Sequence, residues 1–170
     1  MMTLNRWTVP VAVLLTAVVA CSDDDNGGTG SDTEFDASLS GGDEVPAVNT
    51  IATGQATISI QGQQIVYTVT VQNLENAVLS HIHVAPAGES GPVRLNLCGT
   101  DETPACTGGS GTLVSGSNGI TQGITFDSLV SAIRAGNAYV NVHTNDGNAT
   151  PNEGPGDFPA GEIRGQLVPQ

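Results

Sequence analysis

A chain of 170 residues with 17 acidic against 4 basic side chains, a formal charge of −13, repels phosphate backbones and acidic headgroups, which excludes nucleic acid as a partner. Its abundance of Gly, Thr, Val and Ser favours strands and turns, and points to an all-β domain. Once an N-terminal leader is set aside, about 150 residues remain, the size of one domain with a real core.

The leader comes first in the chain. Arg6 precedes an apolar run from Val9 to Ala20, the arrangement of a removable export signal over residues 1–20. The run is too short to span a bilayer, which takes roughly 20 apolar residues, and no later segment approaches that length. Val18-Val19-Ala20 before Cys21 resembles the lipobox of bacterial lipoprotein precursors, which implies that Cys21 is acylated and that the membrane is reached through lipid alone. An ordinary cleaved signal followed by a stray cysteine is the alternative. Each buried methylene contributes about 0.8 kcal/mol, so more than one acyl chain is needed for stable attachment. Residues 21–33 continue as acids, glycines and small polar groups that cannot repay the entropy of ordering, and read as a flexible acidic linker. Ser22 after the cysteine, where an Asp would retain the protein, looks like an outer-membrane address. The expected location is therefore the envelope, lipid-anchored at the outer membrane.

From residue 34 to 170 short alternating segments follow one another between turn clusters, the pattern of a sandwich or barrel. The expected strands are Glu34 to Leu39, Thr53 to Ile60, Gln64 to Gln72, Val78 to Val84, Val93 to Leu97, Gly111 to Val114, Ala138 to Thr144 and Glu162 to Val168. Ile58 and Ile60 alternate with Thr57 and Ser59, which gives that strand one face for a core. Gln61-Gly62-Gln63 reads as a hairpin loop. One stretch departs from period two: Phe126, Leu129, Val130 and Ile133 share a helical face, with Thr125 placed to cap the start and Gly136 to end the helix.

With Cys21 committed to lipid, Cys98 and Cys106 form an even pair in an oxidising compartment, and a disulfide is expected. A free or metal-binding pair is the alternative. Between Asn145 and Ala160 lies a long run of turn formers; its Asp146, Asn148, Glu153 and Asp157 offer oxygens, but not at the spacing of a twelve-residue calcium loop.

Five pieces stand in order along the chain: Ser40-Gly41-Gly42-Asp43-Glu44-Val45-Pro46, Ala52-Thr53-Gly54, Ser80-His81-Ile82-His83-Val84, Ala138 to Thr144 (AYVNVHT) and Gly161 to Leu167 (GEIRGQL). Together they resemble the CHRD domain, the module first described in chordin, over about Phe35 to Val168. The resemblance implies an antiparallel β-sandwich, immunoglobulin-like or superoxide-dismutase-like, with one short helix. It implies no enzymatic activity for the module. In chordin the module belongs to an extracellular antagonist of bone morphogenetic proteins, a partner that does not transfer to a bacterial lipoprotein. The long acidic loop between His143 and Gly161 departs from the family pattern.

All three histidines lie in two of these pieces, and period two decides how they face. His81 and His83 share one face against Ile82; Tyr139, Asn141 and His143 share one against Val140 and Val142; Glu162, Arg164 and Gln166 share one against Ile163 and Leu167. If the strands are neighbours, these faces merge. One reading is a hydrogen-bonded network of Tyr139, Asn141, Glu162, Arg164 and Gln166 with the histidines, Glu162 pairing with Arg164, in a non-catalytic binding or structural module that needs no cofactor. The other is a transition-metal protein in which His81, His83 and His143 hold Cu or Zn and leave a position open. The His-x-His pair resembles the copper ligands of Cu,Zn superoxide dismutases, but those enzymes need further histidines and an aspartate, and this chain has no fourth His. No nucleophile motif or glycine elbow accompanies the histidines, which argues against an acid-base enzyme. A metal requires their nitrogens roughly 3–4 Å apart around one point.

Overall fold

The computed structural model describes residues 33–170. The export signal, Cys21 and nearly all of the linker lie outside the described residues. Nine strands and one helix follow in order: β1 Glu34–Ser40, β2 Thr53–Gln61, β3 Gln64–Leu74, β4 Ala77–Val84, β5 Val93–Cys98, β6 Gly109–Asn118, α1 Phe126–Arg134, β7 Ala138–Thr144, β8 Ile163–Gln166 and β9 Val168–Pro169. A single turn of 3-10 helix, Gly41–Asp43, leaves β1. The strands pair antiparallel in the order β5-β4-β7-β8-β1-β2-β3-β6, with β9 also on β1. Because the sheet curls, its two ends meet: Asn118 Nδ2 donates to Asn96 O at 2.9 Å, and Tyr67 Oη donates to Leu97 O at 2.8 Å. The result is a nearly closed antiparallel barrel or sandwich with one short helix. Phe35, Leu39, Ile58, Ile65, Ile82 and Leu95 fill its interior.

The helix forms where the periodicity puts it. Thr125 Oγ1 accepts from Ser128 N at 3.2 Å, which satisfies one of the open amides of the first turn. Gly136, at φ +69°, turns the chain out of the helix. Phe126, Leu129, Val130 and Ile133 are the buried residues of α1 and join the core cluster. Cys98 and Cys106 are joined in the expected disulfide.

Two strands differ from the sequence reading. The stretch from Gly109 to Asn118 pairs along nearly all of β3, far beyond Gly111 to Val114. Its glycines hide the alternation for a packing reason: a Cβ on Gly116 would stand 3.1 Å from Tyr67 Oη, so the position stays bare to admit that ring. The segment expected to run from Glu162 to Val168 is broken into β8 and β9 at Leu167, whose amide bonds to Ala138 O on β7 while Val168 pairs with Asp36 on β1. Glu162 thus stands ahead of the strand.

β4, β7 and β8 are adjacent, which brings the histidine strands together. Cross-strand register sets His81 opposite Asn141 and Asn141 opposite Arg164, and in the next row His83 opposite Tyr139 and Tyr139 opposite Gln166. Ile82, Val140, Val142 and Ile163 take the core face. Every residue of β7 is nevertheless buried, polar ones included. A strand so covered on both faces needs a second layer over its polar side. The chain at Glu44, Ala85 to Gly91 and Phe158 to Gly161 supplies it.

Candidate metal centre

His81, His83 and His143 are each buried, at 7–8% exposure. They are the group of three or more potential ligands found among the described residues, and one nitrogen from each lies within 4.8 Å of the others. Ring centroids stand 5.0 Å apart for His81 and His143, 5.6 Å for His81 and His83, and 5.9 Å for His83 and His143. Coordination at about 2.0–2.1 Å then asks the widest nitrogens to close by about 1 Å.

Two of the rings are fixed by backbone carbonyls, which only accept. His83 Nδ1 therefore donates to Gly91 O at 2.9 Å, and His143 Nδ1 donates to Pro159 O at 3.0 Å. Both protons sit on Nδ1, and both Nε2 atoms carry a lone pair. His83 Nε2 is buried with no hydrogen-bond partner, and His143 Nε2 faces His81 Nδ1 at 3.2 Å. Since His143 Nε2 can only accept, His81 donates from Nδ1 in this arrangement. A metal bound through His81 Nδ1 displaces that proton to Nε2, so one ring of the three changes tautomer on loading. Carbonyl partners of this kind orient metal-binding imidazoles and raise their basicity.

Burial pushes the pKa of all three rings down; His81 falls to about 3, with His143 and His83 adding to the shift. Neutral imidazole is the form that coordinates a metal. The ring of Tyr139 stacks on His83 at 4.9 Å and 13°, and the Arg164 guanidinium lies 3.5 Å from the centre of that phenol ring. Tyr139 Oη also accepts from Gly91 N at 3.1 Å, so one segment holds both rings of the stack.

The polar network anticipated from the sequence divides. Glu162 does not pair with Arg164: its carboxylate accepts from Thr50 Oγ1 at 2.6 Å, Thr144 Oγ1 at 2.7 Å and Gly156 N at 3.0 Å. The reason is its place before β8, where it turns to the loop that packs there. Arg164 instead donates to Pro86 O at 3.4 Å besides covering Tyr139. Gln166 Nε2 bonds Gly136 O at 2.7 Å and Ala85 O at 3.1 Å, which braces the loop after α1. Asn141 stays on the histidine face and donates to Glu44 Oε2 at 3.4 Å. In the acidic loop Asp146 accepts from Asn148 N at 2.8 Å and Asp157 from Glu153 N at 3.3 Å, separate turns rather than one calcium cage.

Glu44, within the Ser40 to Pro46 motif, joins the histidine face although its sequence position marks no site. It is 9% exposed, its Oε1 has no partner, and burial raises its pKa to about 7 against the opposing effects of Arg164 and Asn141. Its position before Val45-Pro46 marks a turn and gives no hint of burial.

Comparison with known proteins matches the CHRD domain family to residues 35–151. No curated protein and no solved structure matches the chain. The matched stretch contains all three histidines and stops before Glu162 and β8.

Proposed function

The chain belongs to the CHRD domain family, and from that premise we propose that it is an exported, lipid-anchored envelope protein whose single module binds a transition metal, copper or zinc, through His81, His83 and His143 without catalysing a reaction. The observation that carries the metal reading is the pair of backbone carbonyls on His83 and His143, which keep the proton on Nδ1 of each ring and leave both Nε2 atoms with a lone pair, in a group of three buried histidines whose potential ligand atoms lie within 4.8 Å of one another. A core histidine kept only for packing gains nothing from an orphaned Nε2, and leaving such a nitrogen buried costs about 1–3 kcal/mol. Three neutral nitrogen ligands suit copper or zinc and leave a further position for water or a partner's donor. Export and anchoring are supported by Arg6, the run from Val9 to Ala20, and Cys21.

The test is metal content and competitive metal binding of the purified protein beside His81→Ala and His143→Ala. One Cu or Zn per chain, lost or weakened by about tenfold or more in both variants, is expected from loss of a ligand. Unchanged stoichiometry and affinity in both variants would overturn the reading.

A further inference from the structure

The ligand set formed by the three imidazoles is neutral throughout. Among the described residues, no carboxylate or thiol joins His81, His83 and His143 where their ligand atoms converge. Loading moves the His81 proton from Nδ1 to Nε2 and releases none, so the full charge of the ion stays in the site. Solvent cannot screen that charge well, because the rings are 7–8% exposed and His83 Nε2 is buried.

The fixed charge beside the rings has the wrong sign for a dication. Arg164, 2% exposed, lies 3.5 Å from the centre of the Tyr139 ring, and that ring stacks on His83 at 4.9 Å. Burial is the main cause of the low His83 pKa, and the charges of His143 and Arg164 add to it. No carboxylate is among the charges that act on the three rings. Glu44 shares the face but bonds to Asn141 rather than to a ring.

Charge then separates the metals. The cost of burying an ion grows as the square of its charge, and its repulsion by Arg164 grows in proportion to that charge, so both favour a monocation. Coordination number points the same way. Zn(II) takes four tetrahedral donors and Cu(II) a tetragonal set, whereas Cu(I) is satisfied by three. A further imidazole, thiolate or carboxylate would have to enter from outside the described residues, past the loops that hold His83 and His143 through the carbonyls of Gly91 and Pro159.

We propose that the site binds copper as Cu(I) in preference to Cu(II) and Zn(II), with His81, His83 and His143 as its three donors and Arg164 disfavouring the dications. This rests on the metal reading above and adds the oxidation state to it.

The experiment is competition for metal by the purified full chain at about pH 7.5, where imidazole is neutral. Bicinchoninate competes for Cu(I) with ascorbate present and oxygen absent, nitrilotriacetate for Cu(II) without reductant, and a chromophoric chelator for Zn(II). One Cu(I) per chain is expected, held about a hundredfold or more tightly than either dication; for copper that ratio equals a rise of about 120 mV in the potential of the bound ion over the aqueous couple. Arg164→Gln should narrow the gap by about threefold to tenfold, by strengthening Cu(II) and Zn(II) more than Cu(I). Where that variant does not fold, the wild-type ratio alone decides. Zn(II) or Cu(II) held as tightly as Cu(I) would overturn this proposal and leave the metal reading standing, whereas no binding of any of the three ions would overturn both. A gap that Arg164→Gln leaves unchanged in a folded protein would also overturn the proposal.

Discussion

Glu44→Gln tests how the cover over the histidine face is held, because a buried carboxyl and its amide isostere differ in one respect, titration. The folded pKa of Glu44 is about 7 against an ordinary 4.5, a shift caused first by burial. Arg164, Asn141 and the Val45 amide favour its ionised form, and Asp43 opposes it. A folded pKa raised above the unfolded one means that the folded state binds the proton more tightly. Its contribution is complete below pH 4.5, shrinks as the unfolded chain ionises, and is gone by about pH 7, where the buried charge must form. The difference of 2.5 units corresponds to about 3 kcal/mol, and for a domain of this size to roughly 10 °C in melting temperature. Glutamine escapes this loss. Urea or thermal unfolding of both proteins from about pH 4 to pH 8.5, with chelator, should give near-equal stability at the acid end and a variant more stable by about 3 kcal/mol at the alkaline end. The histidines titrate alike in both proteins and cancel in the difference. A difference that stays constant with pH, or that favours wild type above pH 7, would refute the burial of this carboxyl.

Replacing Cys98 and Cys106 together by serine should cost about 2.5 kcal/mol, the chain entropy of a loop closed over 8 residues, read as a lower midpoint in urea. Glu162→Ala removes the acceptor of Thr50, Thr144 and Gly156 at once, and is expected to cost about 3 kcal/mol or more; Thr144→Val, which removes one donor, should cost about 1–2 kcal/mol, both measured by equilibrium unfolding. Glu162→Ala should also increase amide exchange in the loop from Asn145 to Ala160, whereas equal exchange would show that this carboxylate does not hold it. Cys21→Ser should abolish incorporation of labelled fatty acid in the producing cell and release the protein from the membrane fraction; acylation that survives would remove the anchor from the reading.

Strand spacing and loop geometry contribute separately to the histidine face, and only the first is legible in a sequence. Period two is enough to align His81 with His83, and Tyr139, Asn141 and His143 with one another, and adjacency of β4 and β7 then makes one face of them. Period two failed at Glu162, because alternation holds only inside a strand and β8 begins one residue later. It also found only Gly111 to Val114 of β6 and missed the stretch beyond, where Gly116 makes room for Tyr67 and leaves no apolar signal. The atoms that decide what the imidazoles can do are the carbonyls of Gly91 and Pro159. A carbonyl belongs to any residue, so its use as a tautomer-setting partner depends on where the loop passes. A domain that keeps His-x-His and the third histidine but carries differently shaped loops in place of residues 85–91 and 158–161 would retain three ligands with no fixed lone pairs. Coordination there would require setting the tautomer of three rings, whereas in this chain two tautomers are already set and the rings have only to close by about 1 Å as the proton of His81 moves.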